Sequence, residues 1–201
     1  MSRPRITAVA TFRETLGNPF DGLPPYGEDF FAAIGKAVVM WGRLEHALDF
    51  LLETAINIEA LSSPRRETAA ALGRKLRLLR EIYSTCPLLS ALKNEANAVI
   101  DRISNQSGDR HLVMHSTWVG FEDGPPPCIV MLSVKNRPSG SHYQELKATF
   151  AHMGMVAGAF HGGRIAVLRL LEKTDLAGGP KWEEARAQAL QEADRLLPMP
   201  L

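Results

Sequence analysis

The chain has 201 residues, 45% of them hydrophobic and 22% charged, with a formal net charge of +1. Those proportions allow a core of ordinary size in one main domain, and the near-zero charge excludes a global pull toward nucleic acid or membrane, so any such attraction must be local. The two cysteines, Cys86 and Cys128, exclude a disulfide framework and a zinc ribbon and fit a reducing cytosol.

No stretch approaches the roughly 18 apolar residues of a membrane span. The first residues, MSRPRITAVATF, hold an apolar run too short and too broken for a signal peptide. The expectation is a cytoplasmic protein.

Residues 1–27 carry Pro4, Gly17, Pro19, Gly22, Pro24, Pro25 and Gly27, a density of breakers that forbids a long helix. They are expected as an arm lying on the body through Phe12, Leu16, Phe20 and Tyr26. From Glu28 to about Ala60, Phe30/Phe31, Ile34, Val38, Trp41, Leu44, Leu48, Leu51/Leu52 and Ala55 recur at helical spacing, the longest apolar stripe in the chain. Glu28 and Asp29 sit in its first turn, where the helix dipole favours them.

Ser62-Ser63-Pro64 reads as a stop and a capped restart. Leu72, Leu76, Leu79 and Ile82/Tyr83 mark a second helix, ended by Cys86-Pro87 and rich in arginine and lysine where the first is acidic. Two readings stand: an antiparallel pair with complementary charges, or a phosphate-binding face.

A third helix is expected from about Leu88 to Asn105, and a short turn capped by Asp109 over Arg110–Ser116. Thr117–Phe121 and Cys128–Lys135 read as the two strands of a hairpin, which needs the helices beneath it for stability. Ser141 with Gln144 has capping-box spacing, predicting a long helix to about Glu172. After Gly178-Gly179-Pro180 a last helix runs over Lys181–Leu197.

The resulting expectation is a mainly α fold, an up-and-down bundle of four to five helices with an inserted β-hairpin. Residues 28–172 form the bundle, with the hairpin at 117–135, and 173–201 pack on it as a C-terminal helix. Gly154, Gly158 and Gly162 fall four apart on one ridge of the long helix. Tight packing within the subunit, a dimer interface and a kink all account for them.

Chemistry is expected in Asp109-Arg110-His111-Leu112-Val113-Met114-His115-Ser116-Thr117-Trp118, which holds one arginine and two of the chain's six histidines. Histidine suits proton transfer near neutral pH, and arginine presents a fixed fork of donors to a phosphate oxygen. Arg110 and His115 are separated by four residues, with a polar residue, His111, directly after the arginine.

A helical bundle followed by such an element resembles the HEPN superfamily, whose nucleases carry an arginine and a histidine four to six residues apart. Trp41-Gly42-Arg43-Leu44-Glu45 and Trp118 also resemble uncharacterised bacterial members. The likeness covers about residues 28–172, and its defining motif is short. A second pair of similar spacing, Arg137 and His142, has Pro138 after the arginine and departs from the pattern.

The resemblance implies metal-independent RNA cleavage leaving a 2′,3′-cyclic phosphate, at a site composed across a homodimer, in a toxin or phage-defence setting with a separate antitoxin chain. Arg110 would stabilise the phosphate, His115 would be general base or acid, and His111 would orient it or share the proton. Glu45 is the candidate supporting partner, and no cofactor is implied. The other class is a non-catalytic binding or oligomerisation module whose Arg110 pairs with Glu45 or Asp49 to hold the fold.

His111 and His115 also have zinc-ligand spacing. A third ligand would have to come from Glu45, His46, His142, His152 or His161, none at diagnostic spacing. No phosphate-binding glycine loop, nucleophile elbow or dinucleotide fingerprint is present, and both cysteines read as inert.

Overall fold

The computed structural model describes residues 27–61, 71–137 and 140–196. The arm at residues 1–26 and the Ser62-Ser63-Pro64 restart lie outside the described residues, as do the side chains of Trp118, Arg137 and His142. The fold is mainly α with an inserted antiparallel hairpin. In chain order come α1 (Gly27–Ala60), α2 (Leu72–Thr85), a 3-10 turn (Pro87–Leu92), α3 (Lys93–Asn105), α4 (Ser107–His115), β1 (Thr117–Glu122), β2 (Cys128–Arg137), β3 (Gly140–Thr149), α5 (Phe150–Ala177) and α6 (Gly179–Leu196). No described helix is long and apolar enough to cross a membrane.

The apolar stripe of α1 is buried as its spacing predicts: Phe30, Trp41, Leu44, Leu48, Leu51 and Ala55 are each at most 1% exposed. At 1.5 Å per residue the helix is about 50 Å long, and most of that length lies against α5. Phe30 meets Phe150 edge-on at 5.9 Å and Trp41 meets Phe160 at 4.9 Å. Residue numbers rise together across these pairs, so α1 and α5 run parallel. The chain returns to the foot of α1 through α3, α4 and the sheet, with Phe121 of β1 at 5.8 Å from Phe30.

α2 also runs parallel to α1. Lys75 pairs with Asp49, and the Thr85 hydroxyl donates to Glu59 at 3.5 Å. The antiparallel hairpin suggested by the opposite charges of these helices is therefore not formed. Among the described residues, Lys75 is the one α2 cation with an acidic partner on α1, while Arg80 reaches Asp101 on α3. The top of the bundle is closed by Tyr83, whose hydroxyl is hydrogen-bonded to Thr174 of α5. Burial pushes the Tyr83 pKa up to about 12.

The third helix begins later than expected, at Lys93, because Pro87 opens a 3-10 turn in which the Ser90 hydroxyl donates to the Pro87 carbonyl at 2.8 Å. The short α4 starts at Ser107 with Gln106, not Asp109, at its cap position, and Ser107-Gly108 lies inside it. Gln106 ends α3 and begins α4. Its side-chain amide donates to the Ala159 carbonyl of α5 at 2.9 Å.

The segment from Ser141 is a strand rather than the start of α5. β2 pairs antiparallel with β1 on one edge and with β3 on the other, from Cys128↔Thr149 to Arg137↔Gly140. Pairing with β3 satisfies backbone groups along the whole of one edge of the ten-residue β2, while β1 covers the other edge from Cys128 to Leu132, and this outweighs a local helix cap. The period-two pattern is visible at Glu145-Leu146-Lys147-Ala148, where the charged side chains are exposed and Ala148 is buried. Helix capping falls instead to Thr149, whose hydroxyl accepts from the His152 N–H at 3.1 Å. Lys147 of β3 donates to Glu122 of β1 at 2.9 Å, tying the outer strands and holding the Glu122 carboxyl below its usual range. Cys128, beside them, and Cys86 are both buried free thiols.

The α5 glycines divide into two kinds. A Cβ on Gly154, Gly158 or Gly162 would meet nothing within 4 Å among the described residues, so no packing contact there calls for a glycine. A Cβ on Gly163 would come 2.7 Å from Gln106 Oε1 and 3.4 Å from Leu44 Cδ2. At the end of α5, Gly179 takes a left-handed φ of +65°, and a Cβ on Gly178 would strike the Trp182 side chain at 2.6 Å. Trp182 Nε1 then donates to Asp175 at 2.7 Å, fixing the start of α6.

Replacing a helix-interior glycine by alanine is worth about 1 kcal/mol where space allows, whereas overpacking costs about 1–3 kcal/mol. Gly158→Ala is therefore expected to raise stability and Gly163→Ala to lower it. Chemical denaturation of the two variants against the parent measures both signs.

Candidate functional site

α4 is too short to be stable alone and is held by packing. Leu112 and Val113 rest on the core, His111 and His115 are turned outward, and Arg110 is half-buried against α1. His111 and His115 are one turn apart and share a face. Their rings are 5.2 Å apart, and both residues are exposed.

Arg110 lies at the start of this face and His115 at its end, with Arg110 Nη1 3.0 Å from His115 Nε2. A guanidinium has only donors. A hydrogen bond at this contact is one that Nη1 donates and Nε2 accepts. The arrangement sets a cation and a base side by side on an accessible surface.

α1 fixes the arginine from below. The guanidinium carbon stands 5.9 Å from the centroid of the Trp41 ring, itself 1% exposed. Nη2 is 4.0 Å from Glu45 Oε1, with the two side chains 31% and 35% exposed. Trp41 and Glu45 are four residues apart, so one turn of α1 supplies both contacts. Asp49, the other carboxylate considered for Arg110, belongs to Lys75. Arg110 Nε is buried without a hydrogen-bond partner among the described residues.

The candidate residues thus fall together: Arg110, His111 and His115 on α4, with Glu45 at the margin of ion-pair distance on α1. Trp41 is the member that motif spacing alone does not assign a role. Its signal was the apolar stripe of α1, which marked it as core, and it is core on one side and arginine support on the other. Arg137 and His142 lie on adjacent strands, in register with Gly140 and Lys135 respectively.

Of the other ligand candidates, His46 stacks on Phe50 at 4.6 Å. No group of three or more His, Cys, Asp or Glu side chains among the described residues is arranged to hold a metal ion. Compared with family models, with curated proteins and with solved structures, the chain matches none.

Exposed cation–π contacts are worth about 0.5–1 kcal/mol and exposed ion pairs at most about 1 kcal/mol. Arg110→Ala is accordingly expected to cost about 1 kcal/mol of stability, and Glu45→Gln less than about 0.5 kcal/mol. Urea unfolding reads both. A loss of several kcal/mol at Arg110 would instead make it a pillar of the fold.

Proposed function

We propose that the protein is a metal-independent endoribonuclease of the HEPN type. The observation that carries this reading is the 3.0 Å contact between Arg110 and His115 on an exposed face. In the proposed reaction His115 Nε2 takes the proton of a ribose 2′-hydroxyl. The 2′-oxygen forms a bond to phosphorus, and the bond from phosphorus to the 5′-oxygen breaks. Arg110 stabilises the negative charge on the phosphorane oxygens. His111, 5.2 Å from His115 between ring centres, orients that imidazole or delivers the proton to the departing 5′-oxygen. The products are a 2′,3′-cyclic phosphate and a 5′-hydroxyl. Glu45 and Trp41 keep the guanidinium aimed.

One chain supplies one such pair. The reading therefore includes a homodimer in the cytoplasm, with a composite site and, in a toxin or phage-defence setting, a separate antitoxin chain. The ridge of Gly154, Gly158 and Gly162 supports association, since it costs about 1 kcal/mol of helix propensity per glycine and meets no close contact among the described residues. Met155, 68% exposed, lies on the same side of the helix. The Arg110–His115 face is the other surface on which two copies would meet.

The reaction is tested by incubating single-stranded RNA with the protein in EDTA and identifying the new ends. Cyclic-phosphate ends that disappear with His115→Ala and with Arg110→Ala are expected. Absent cleavage, or cleavage that survives both substitutions, removes the enzyme and leaves a binding or oligomerisation module. For the dimer, Gly158→Leu is expected to halve the mass measured by light scattering. An unchanged dimeric mass would move the interface to the α4 face, and a monomeric parent would remove the dimer.

A further inference from the structure

We infer that the basic edge of α2, with the groove between α2 and α3, is a second anchor for the phosphate backbone of a single-stranded RNA whose reacting bond lies at Arg110–His115. This rests on the nuclease reading and adds the path the substrate takes to the site.

The cations of α2 are not equivalent. Lys75 is neutralised by Asp49 and Arg80 by Asp101. Arg74 and Arg77, both exposed, have no ion-pair partner among the described residues. They border open hollows: Arg77 and Arg80 line one together with Gly73, Leu76, Ile100 and Ser104, and Arg74 and Arg77 line the adjoining one with Leu78 and the carboxylate-bearing Glu81.

Their position on the helix is itself unfavourable. Arg74 and Lys75 fall in the first turns of α2, where the dipole disfavours positive charge. That turn has no acidic residue, and its cap, Ala71, offers no side-chain acceptor. Lys75 is compensated by Asp49, but Arg74 stands against the dipole without an ion-pair partner among the described residues, and an anion laid across it and Arg77 would relieve that cost.

The groove leads to α4. Ser104, on its floor, stands in the last turn of α3, six residues before Arg110. Two carboxylates of α1 tie the systems together: Glu45 faces Arg110, and Asp49, one turn on, holds Lys75. A helical turn advances only about 5.4 Å, so the foot of the basic edge begins about one turn from the Arg110–His115 pair. The exposed arginines then continue along α2 over Arg74, Arg77 and Arg80. A track of this length suits a segment of about four nucleotides, the lower end of known single-strand sites. The groove presents no aromatic platform on its lining, which fits backbone contact rather than base reading.

The test uses a short single-stranded RNA oligonucleotide and the His115→Ala protein, so that the RNA stays intact. Binding is followed by fluorescence anisotropy over a range of salt. The double variant Arg74→Gln/Arg77→Gln is expected to bind about tenfold more weakly. Its plot of log affinity against log salt should be shallower by about 1.4, two phosphate contacts at about 0.7 each for single strands. Lys93→Gln/Arg102→Gln removes the same charge from exposed positions of α3 that have no ion-pair partner among the described residues, and is expected to change neither quantity. Equal weakening by both doubles would reduce the effect to net charge and overturn the anchor, as would no weakening by the first. Cleavage by the parent protein is measured separately. RNA that binds through Arg74 and Arg77 but is never cut would sink the Arg110–His115 chemistry and keep the groove. RNA that is cut with unchanged affinity in the double variant would do the reverse.

Discussion

The indole of Trp41 is the contact on which the molecule turns. On one side it meets Phe160 edge-on and locks the two longest helices in parallel. On the other it lies beneath the Arg110 guanidinium. The same residue therefore belongs to the packed interior and to the support of the surface pair. Because protein interiors are close-packed, its position is over-determined by α1 and α5. A side chain resting on it inherits that precision, even though α4 has only nine residues.

The sheet serves this arrangement from below. Phe30, Phe121 and Phe150 bring the foot of α1, β1 and the start of α5 together. α4 thus runs between two fixed points, the α3 junction above and β1 below. An element with little intrinsic stability is placed by its ends and by two apolar side chains, Leu112 and Val113. Functional groups on such an element can be exposed without being loose.

Much of this was legible in the residue order. The stripe of α1 was long and regular enough to name its buried positions. The Arg110–His115 spacing is five residues, wider than the three or four that put side chains on one helix face, and the pair meets because the long arginine side chain reaches round to Nε2. Three features were not legible. The strand at Gly140–Thr149 was hidden by Ser141 and Gln144, a local capping signal that loses to pairing with β2. The direction of α2 was hidden because charge complementarity fixes which helices attract but not which way they run. The roles of the α5 glycines were hidden because spacing alone does not distinguish a residue pressed on a neighbour, such as Gly163, from ones that face open space.

Gln106 has a mechanical consequence. It is the joint between α3 and α4, and its amide grips a backbone carbonyl of α5 at Ala159. Gly163, one turn further along, leaves the room it needs. The angle at which α4 departs from α3 is thereby set by a helix to which neither is covalently adjacent. A single side chain thus ties the carbonyl ridge at Ala159 to the root of the segment bearing both imidazoles.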